Sequence, residues 1–408
     1  MAEVENEPKK PQPPTRKVRK VRRAPNKNAI PPEILNDPEI AAAISSLPSA
    51  YNFEVHKTIH RLRLSSSTHL ALQMPEGLLM YGPVLSDIFK RFSSVHSVVI
   101  QGDVTYGACC VDDLGAQAMG CDFLVHYGHS CLVPLTATTV PCLYVFVEIK
   151  IDDDHAAECL KRTIPKGSKV HVMGTVQFRG AIFSCRENLE KAGHTCVVPQ
   201  AKPLSPGEVL GCTAPKGLYD ESLGEGEQCM LFIADGRFHL EAAMIANPKL
   251  KAYRYDPYGK VLTEEGYEFN RMVSLRDKAI TDATKAEVFG VILGTLGRQG
   301  NPAILYKVLE LLRDRGKKTF VVLLSEIFPA KLDMMPQADA WVQIACPRLS
   351  IDWGHYFTKP ILSPYELYRM VGETESKEGV YEMDFYEKGE SNYWSNFGGD
   401  NAKRGTGE

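Results

Sequence analysis

The sequence has no run of about 18 apolar residues, so nothing in it reads as a membrane-spanning helix. Its N-terminus lacks the apolar stretch of a signal peptide, which leaves secretion unsupported. A basic excess is also missing: the formal net charge is -3, and a non-specific nucleic-acid binder needs surplus positive charge to displace counterions from phosphates. We therefore expect no membrane and no direct nucleic-acid role. No Cys-x-x-Cys occurs, which argues against a zinc ribbon or a thioredoxin-like dithiol, and Cys-x3-Cys-x2-Cys is absent too. The chain nevertheless has 11 cysteines. Without a secretory context they are expected as thiols in a reducing, cytoplasmic compartment, some as small buried hydrophobes and a few with metal or redox work.

With 408 residues, 44% of them hydrophobic, the chain is long enough for several domains with sizeable cores. Residues 1–28 combine Glu3, Glu5 and Glu7 with prolines and a basic run from Arg16 to Arg23, and have almost nothing to bury. They are expected to be a disordered tail, either merely solvated or serving as a nuclear signal or RNA-touching arm. Residues 387–408, rich in Gly, Asn and Ser, are expected to be a second flexible tail.

Between the tails, apolar runs of strand length alternate with segments of helical period. In a first unit, 29–150, strands are expected at His69–Met74, Val95–Ile100, Cys121–His126 and Leu143–Ile149, with helices at Pro83–Phe92 and Val111–Met119. In a second, 151–260, the strands are Lys169–Gly174, Thr195–Val198, Met230–Ala234 and Ala252–Tyr255, with helices over Ala181–Ala192 and Phe238–Ile245. A polar helix from Thr263 to Ala286 bridges to a third, 261–386, with strands Val288–Leu293, Thr319–Leu324 and Ala340–Ile344 and a helix over Asn301–Arg315. The expected fold class is α/β, three tandem domains of similar parallel-sheet βαβαβ type.

Ligands of parallel α/β sheets collect beyond the carboxyl ends of the strands, so chemistry is sought there. Three cysteines stand in strand-end or loop contexts, one per unit: Cys109, Cys212 and Cys346. One reading joins them in a shared metal site, and the other leaves them as separate packing residues. Cys121, Cys142, Cys196 and Cys229 lie in or beside apolar strands and read as core fillers. The loop Gly294-x-x-Gly297-x-x-Gly300, carrying Arg298, follows a strand and delivers Asn301 as N-cap with Pro302 behind it. It is either an anion-binding nest or a plain tight turn. Asp235, Arg237 and His239 after one strand, and Arg348 with Asp352 after another, each suit a cap or surface pair. Taken together they suit a polar small-molecule pocket.

The segments Asp103–Asp113, His126–Cys131, Asp235–His239, Gly294–Gly300 and Ala345–Trp353 resemble the signature segments of the first subunit of eukaryotic diphthamide synthase, in order and over residues 29–370. The resemblance implies three α/β domains around a pseudo-threefold axis, each giving one cysteine, Cys109, Cys212 or Cys346, to a 4Fe-4S cluster. Cys109 is preferred over the adjacent Cys110, which is expected to begin the next helix and pack. Three ligands leave one iron open for a substrate. The implied substrate is S-adenosylmethionine, cleaved to a 3-amino-3-carboxypropyl radical that adds to the imidazole C2 of a histidine in elongation factor 2. Gly294, Gly297, Arg298, Gly300, Asp235, Arg237, Arg348 and Asp352 are the expected contacts to this substrate. The resemblance also implies a paralogous second subunit and a small iron-binding electron carrier. Two other readings stand beside it: a quinolinate synthase, and a non-catalytic partner whose cluster only relays electrons or supports a heterodimer.

Overall fold

In the computed structural model the apolar runs become the inner strands of three mainly parallel sheets. The structure describes residues 29–102, 107–224, 226–375, 377, 379–386 and 393–396. The tail expected at 1–28, most of that at 387–408, and residues 103–106 of the cysteine motif lie outside these residues.

The first sheet contains β1 (His69–Gln73), β2 (Ser97–Gln101), β3 (Phe123–Tyr127) and β4 (Cys142–Val145), in the order β2-β1-β3-β4. The second contains β5 (Lys169–Gly174), β6 (Thr195–Val197), β7 (Gln228–Ile233), β8 (Lys251–Asp256) and β9 (Val261–Glu265), in the order β6-β5-β7-β8-β9. The third contains β10 (Val288–Gly294), β11 (Lys318–Leu324), β12 (Ala340–Ile344) and β13 (Ile361–Leu362), in the order β11-β10-β12-β13. Every pairing within these sheets is parallel except β8 with β9. All three thus place the second strand beside the first, then the third and the fourth. That order makes a switch point between the first and third strands of each sheet, where the carboxyl ends open toward a ligand.

The third strands β3, β7 and β12 are buried at every residue, which explains their lack of polar alternation. Asn301 caps the helix Pro302–Asp314 by accepting the Ala303 N–H, with proline at the first turn, as the sequence predicts.

Three elements differ from expectation. The bridging helix runs only over Phe269–Ala283, because Val261–Glu265 folds back as β9 onto β8. Valine and threonine at 261 and 263 suit that edge strand, and Gly266 separates it from the helix. The strand expected over Leu143–Ile149 stops at Val145: Val147 takes φ 56°, and Glu148–Ile149 pairs antiparallel with Tyr51–Asn52. The helix expected from Val111 starts at Asp113, where the Asp112 side chain accepts the Gly115 N–H, and Ala108–Cys110 forms a separate 3-10 turn. Cys110 therefore ends a turn and does not begin the helix.

The sheets meet in one apolar cluster. It joins Ala108 and Cys109 from the first, Leu204, Leu210 and Cys212 from the second, and Val291, Ile304 and Ile344 from the third. Close by in the third unit, Arg276 is buried with Glu366, Nε to Oε1 at 2.6 Å and a second nitrogen to Oε2 at 2.8 Å.

Candidate metal centre

Cys109 sits on the turn after β2, and the glycine loop after β10 is seated on that turn. The Arg298 N–H donates to the Cys109 carbonyl at 2.8 Å. Gly297 has φ 54°, and a Cβ there would lie 2.5 Å from the Cys110 backbone, so both conformation and space require glycine. The Arg298 guanidinium grips Asp113 in two places, at 2.8 and 2.6 Å. Burial by itself would raise the Asp113 pKa, but Arg298 and Thr139 outweigh it and hold the carboxyl below its ordinary value.

Cys212 lies in a tight loop closed by reciprocal backbone bonds between Leu210 and Thr213, at 3.0 and 3.2 Å. Cys346 follows β12 at the N-cap of the helix Pro347–Trp353, its carbonyl held by the Gln343 amide at 3.1 Å. All eleven cysteines are free of disulfides.

These thiols share one electrostatic environment. Ionisation of Cys109 is suppressed first by Cys110, whose sulfur is 4.0 Å away, then by burial, and further by Cys212 and Cys346. Cys212 is pushed up by burial and then by Cys346. Cys346 is pushed up to about 11 by burial, with Arg348 working in the opposite direction and Cys110 adding to the rise. The structure thus brings Cys110 to the same place as the other three. Among the described residues no three His, Cys, Asp or Glu side chains converge as a single metal ion requires. An iron–sulfur cluster makes a different demand, since each thiolate binds its own iron. Neutral thiols, Cys110 and Cys212 buried and Cys109 and Cys346 partly so, that repel one another as thiolates suit such a group, because bound cations reverse that penalty.

The other sequence-predicted residues separate into two places. Gly294 and Gly300 stand with Gly297 and Arg298 in the loop on the cysteine turn. A Cβ on Gly294 would press on Ala345, and one on Gly300 would meet the Gly294 carbonyl, so these glycines serve close packing of the backbone. Arg237, Arg348 and Asp352 instead line one groove with Phe238, Glu241 and Trp353. Arg348 is buried and saturated: it reaches Asp352 at 3.0 Å, Glu241 at 2.5 Å and the Phe238 carbonyl at 2.8 Å, and stacks on the Phe238 ring. Arg237 is exposed and pairs with Glu265 at 2.6 Å. Asp235 is exposed, and its carbonyl accepts from Arg254 at 3.2 Å.

Several contributors were not assigned to the site from the sequence, although Gln299, His126, His129 and His239 lie within its signature segments. The Gln299 amide lies 3.6 and 3.5 Å from the sulfurs of Cys109 and Cys110. Gln73 of β1 donates to the Cys110 carbonyl at 2.8 Å and stands 2.8 Å from His126 Nδ1. His126 and His129 have ring centroids 5.3 Å apart. Burial depresses both, His129 to about 4, and takes His239 to about 4 as well, aided by His129 and Arg348. These imidazoles are neutral near pH 7. Gln73 was hidden inside an apolar strand, where a polar residue reads as a satisfied core group.

Three like α/β sheets with thiols gathered at their shared centre define the class of the molecule. The family model described as "Putative diphthamide synthesis protein" matches residues 74–382, and the chain belongs to this family. It is 51% identical over 370 residues to 2-(3-amino-3-carboxypropyl)histidine synthase subunit 1 of Dictyostelium discoideum, covering 90% of this chain and 78% of that protein. To the subunit of the same name from Mus musculus it is 50% identical over 381 residues, covering 93% and 85%. The solved Dph2 from Pyrococcus horikoshii superposes with a TM-score of 0.65 at 27% identity, covering 82% of this chain and 94% of that one. Dph2 from the same organism with a 4Fe-4S cluster gives 0.65 at 26%, covering 84% and 97%. The activity of the family is that of a 2-(3-amino-3-carboxypropyl)histidine synthase, a transferase of diphthamide synthesis. The "subunit 1" in those names implies a second subunit.

Proposed function

We propose that this chain is a catalytic subunit that holds a 4Fe-4S cluster through Cys109, Cys212 and Cys346. It takes S-adenosylmethionine as substrate and directs a 3-amino-3-carboxypropyl radical to the imidazole C2 of a histidine in elongation factor 2. The observation that carries this reading is the grouping of thiols from three separate sheets: Cys109 and Cys212 pack in one cluster, and Cys346 lies near enough to act on both electrostatically. When bound, the cluster supplies the single electron that cleaves the sulfonium. The protein's own residues set the stage for it. Gln299 presents its amide to two of the sulfurs, and Arg348 favours the thiolate forms of Cys212 and Cys346. The apolar cluster around Cys109 and Cys212 keeps water from the reactive radical.

Arg298 and Arg348 each hold carboxylates of their own chain, so their part in substrate binding is to fix the walls of the site. Gly294, Gly297 and Gly300 shape the wall on the cysteine turn, and Arg237 and Asp352 that of the neighbouring groove, while Asp235 lies outside both. Calorimetry with S-adenosylmethionine is expected to show weaker binding for Arg298→Ala and Arg348→Ala, and unchanged affinity in both would remove them from the site. We further assign the chain a paralogous second subunit and a small iron-binding electron carrier as partners, and the cytoplasm as its compartment. No helix among the described residues is long and apolar enough to cross a membrane.

Anaerobic reconstitution with iron counting and EPR tests the centre. Cys212→Ala and Cys346→Ala are expected to lose the cluster signal, as is Cys109→Ala, while Cys110→Ala keeps it. A full spectrum without Cys212 or Cys346 would sink the three-domain site.

A further inference from the structure

After the helix Pro364–Met370 the chain returns across the second unit. From Tyr381 to Tyr386 it has no regular secondary structure, yet all of these residues except Glu382 are buried. Such a segment must satisfy its backbone elsewhere, and here it does so on the Cys212 loop. The Phe385 N–H donates to the Cys212 carbonyl at 3.1 Å, and the Tyr386 N–H to Thr213 Oγ1 at 3.3 Å. Asp384 accepts the Ala214 N–H at 3.0 Å, and Lys216 pairs with Glu382 and Asp384, both at 2.6 Å.

Both ends of this strap are tied to the third unit. The Tyr381 hydroxyl donates to Glu366 at 2.6 Å, within the buried pair with Arg276. At the other end the Asn396 N–H donates to the Phe385 carbonyl at 2.8 Å, and its side-chain oxygen accepts from Asn301, the N-cap behind the glycine loop, at 2.9 Å. The Tyr386 ring is 4% exposed and packs in the apolar cluster that contains Ala108, Cys109, Leu210 and Cys212.

We propose that the strap Tyr381–Tyr386 is a wall of the thiol compartment, and that the Tyr386 hydroxyl is a positioning donor toward its sulfur atoms, raising the potential of the cluster held there. This rests on the iron–sulfur reading above. The Tyr386 side chain packs in the cluster that holds Cys109 and Cys212, and its N–H is anchored on Thr213, the residue after Cys212, so the strap delivers a phenol O–H, a donor, into the compartment of the sulfurs. Hydrogen bonds to the sulfurs and exclusion of solvent are two of the protein's controls over cluster potential. A donor stabilises the more negative, reduced form, so its removal drives the potential down.

The test uses the full chain reconstituted anaerobically, as wild type, Tyr386→Phe and Asp384→Asn. Tyr386→Phe is expected to take up the same iron and unfold at the same temperature, while its midpoint potential in an EPR-monitored titration moves negative. Asp384→Asn weakens the pairing with Lys216 and is expected to speed bleaching of the cluster in air several-fold. A loaded Tyr386→Phe protein whose potential stays put or moves positive overturns the tyrosine assignment alone. Unchanged bleaching in Asp384→Asn overturns the wall. A wild-type chain that takes up no cluster overturns the iron–sulfur reading itself, and both parts with it.

Discussion

Asp113 has no exposure, and its charge is tolerated because Arg298 and Thr139 surround it with donors. A lysine cannot reproduce the two-pronged guanidinium contact. Arg298→Lys is therefore expected to cost about 1.5–3 kcal/mol, the range for hydrogen bonds to a charged group, read as a lower urea midpoint at unchanged slope. A loss below about 0.5 kcal/mol would show that water replaces the arginine. Arg298 also shows how far single residues were legible. Its place in a glycine loop at a strand end was plain, but its partner lies 185 residues earlier in the chain, and no local pattern encodes that pairing. The cysteines were easier to read, because strand-end placement without Cys-x-x-Cys spacing already separates Cys109, Cys212 and Cys346 from those within strands. Tyr386 carried no such mark, since its importance comes from the strap that delivers it.

At the scale of elements, the glycine loop docks the third unit onto the first. Gly297→Ala places a methyl group against the Cys110 backbone in a left-handed conformation that alanine disfavours. The loop must then lift from the cysteine turn. The variant is expected to fold, since β10 and the helix Pro302–Asp314 remain intact, but to bind less iron on reconstitution and lose Cys110 protection in thiol-labelling experiments. Wild-type iron content would show that the seating of this loop is dispensable. Most strands and helices were legible from period and length, because burial on both sheet faces leaves long apolar runs. Two of the three misread elements sit where tertiary pairing overrides local pattern, while the helix expected from Val111 starts later because Asp112 caps it locally. β9 was absorbed into a helical reading because its partner β8 precedes it across a turn, and the split after Val145 depends on a pairing with Tyr51–Asn52.

For the whole molecule, the buried carboxylates Asp113 and Glu366 contribute to the response to acid. Burial would raise Glu366, but Arg276 and Tyr381 outweigh it and hold it below the ordinary value, as Arg298 does for Asp113. A carboxyl depressed in the folded state adds stability above its unfolded pKa, about 3.9 for Asp and 4.3 for Glu, and that contribution is lost as pH falls through the folded value. Urea midpoints should therefore depend little on these groups between pH 7 and about 5, and fall below about 4. Glu366→Gln is expected to start about 3–5 kcal/mol less stable at pH 7, because Arg276 is left buried without its counter-charge, and to show a shallower acid decline. An acid decline as steep as that of the wild type would place the sensitivity elsewhere.

The repeated strand order also has a consequence for handedness. Cys109 and Cys212 follow the second strands of their sheets, whereas Cys346 follows the third strand of its own. Three copies of one topology therefore do not give three equivalent walls: the third carries both the glycine loop and the saturated arginine, the first the neutral His126 and His129, and the second His239. A small chiral molecule entering such a centre meets a different surface in each direction, so rotating it by a third of a turn gives an inequivalent fit. Duplication of the sheet provides the enclosure, and displacement of one cysteine provides the means to choose a single orientation.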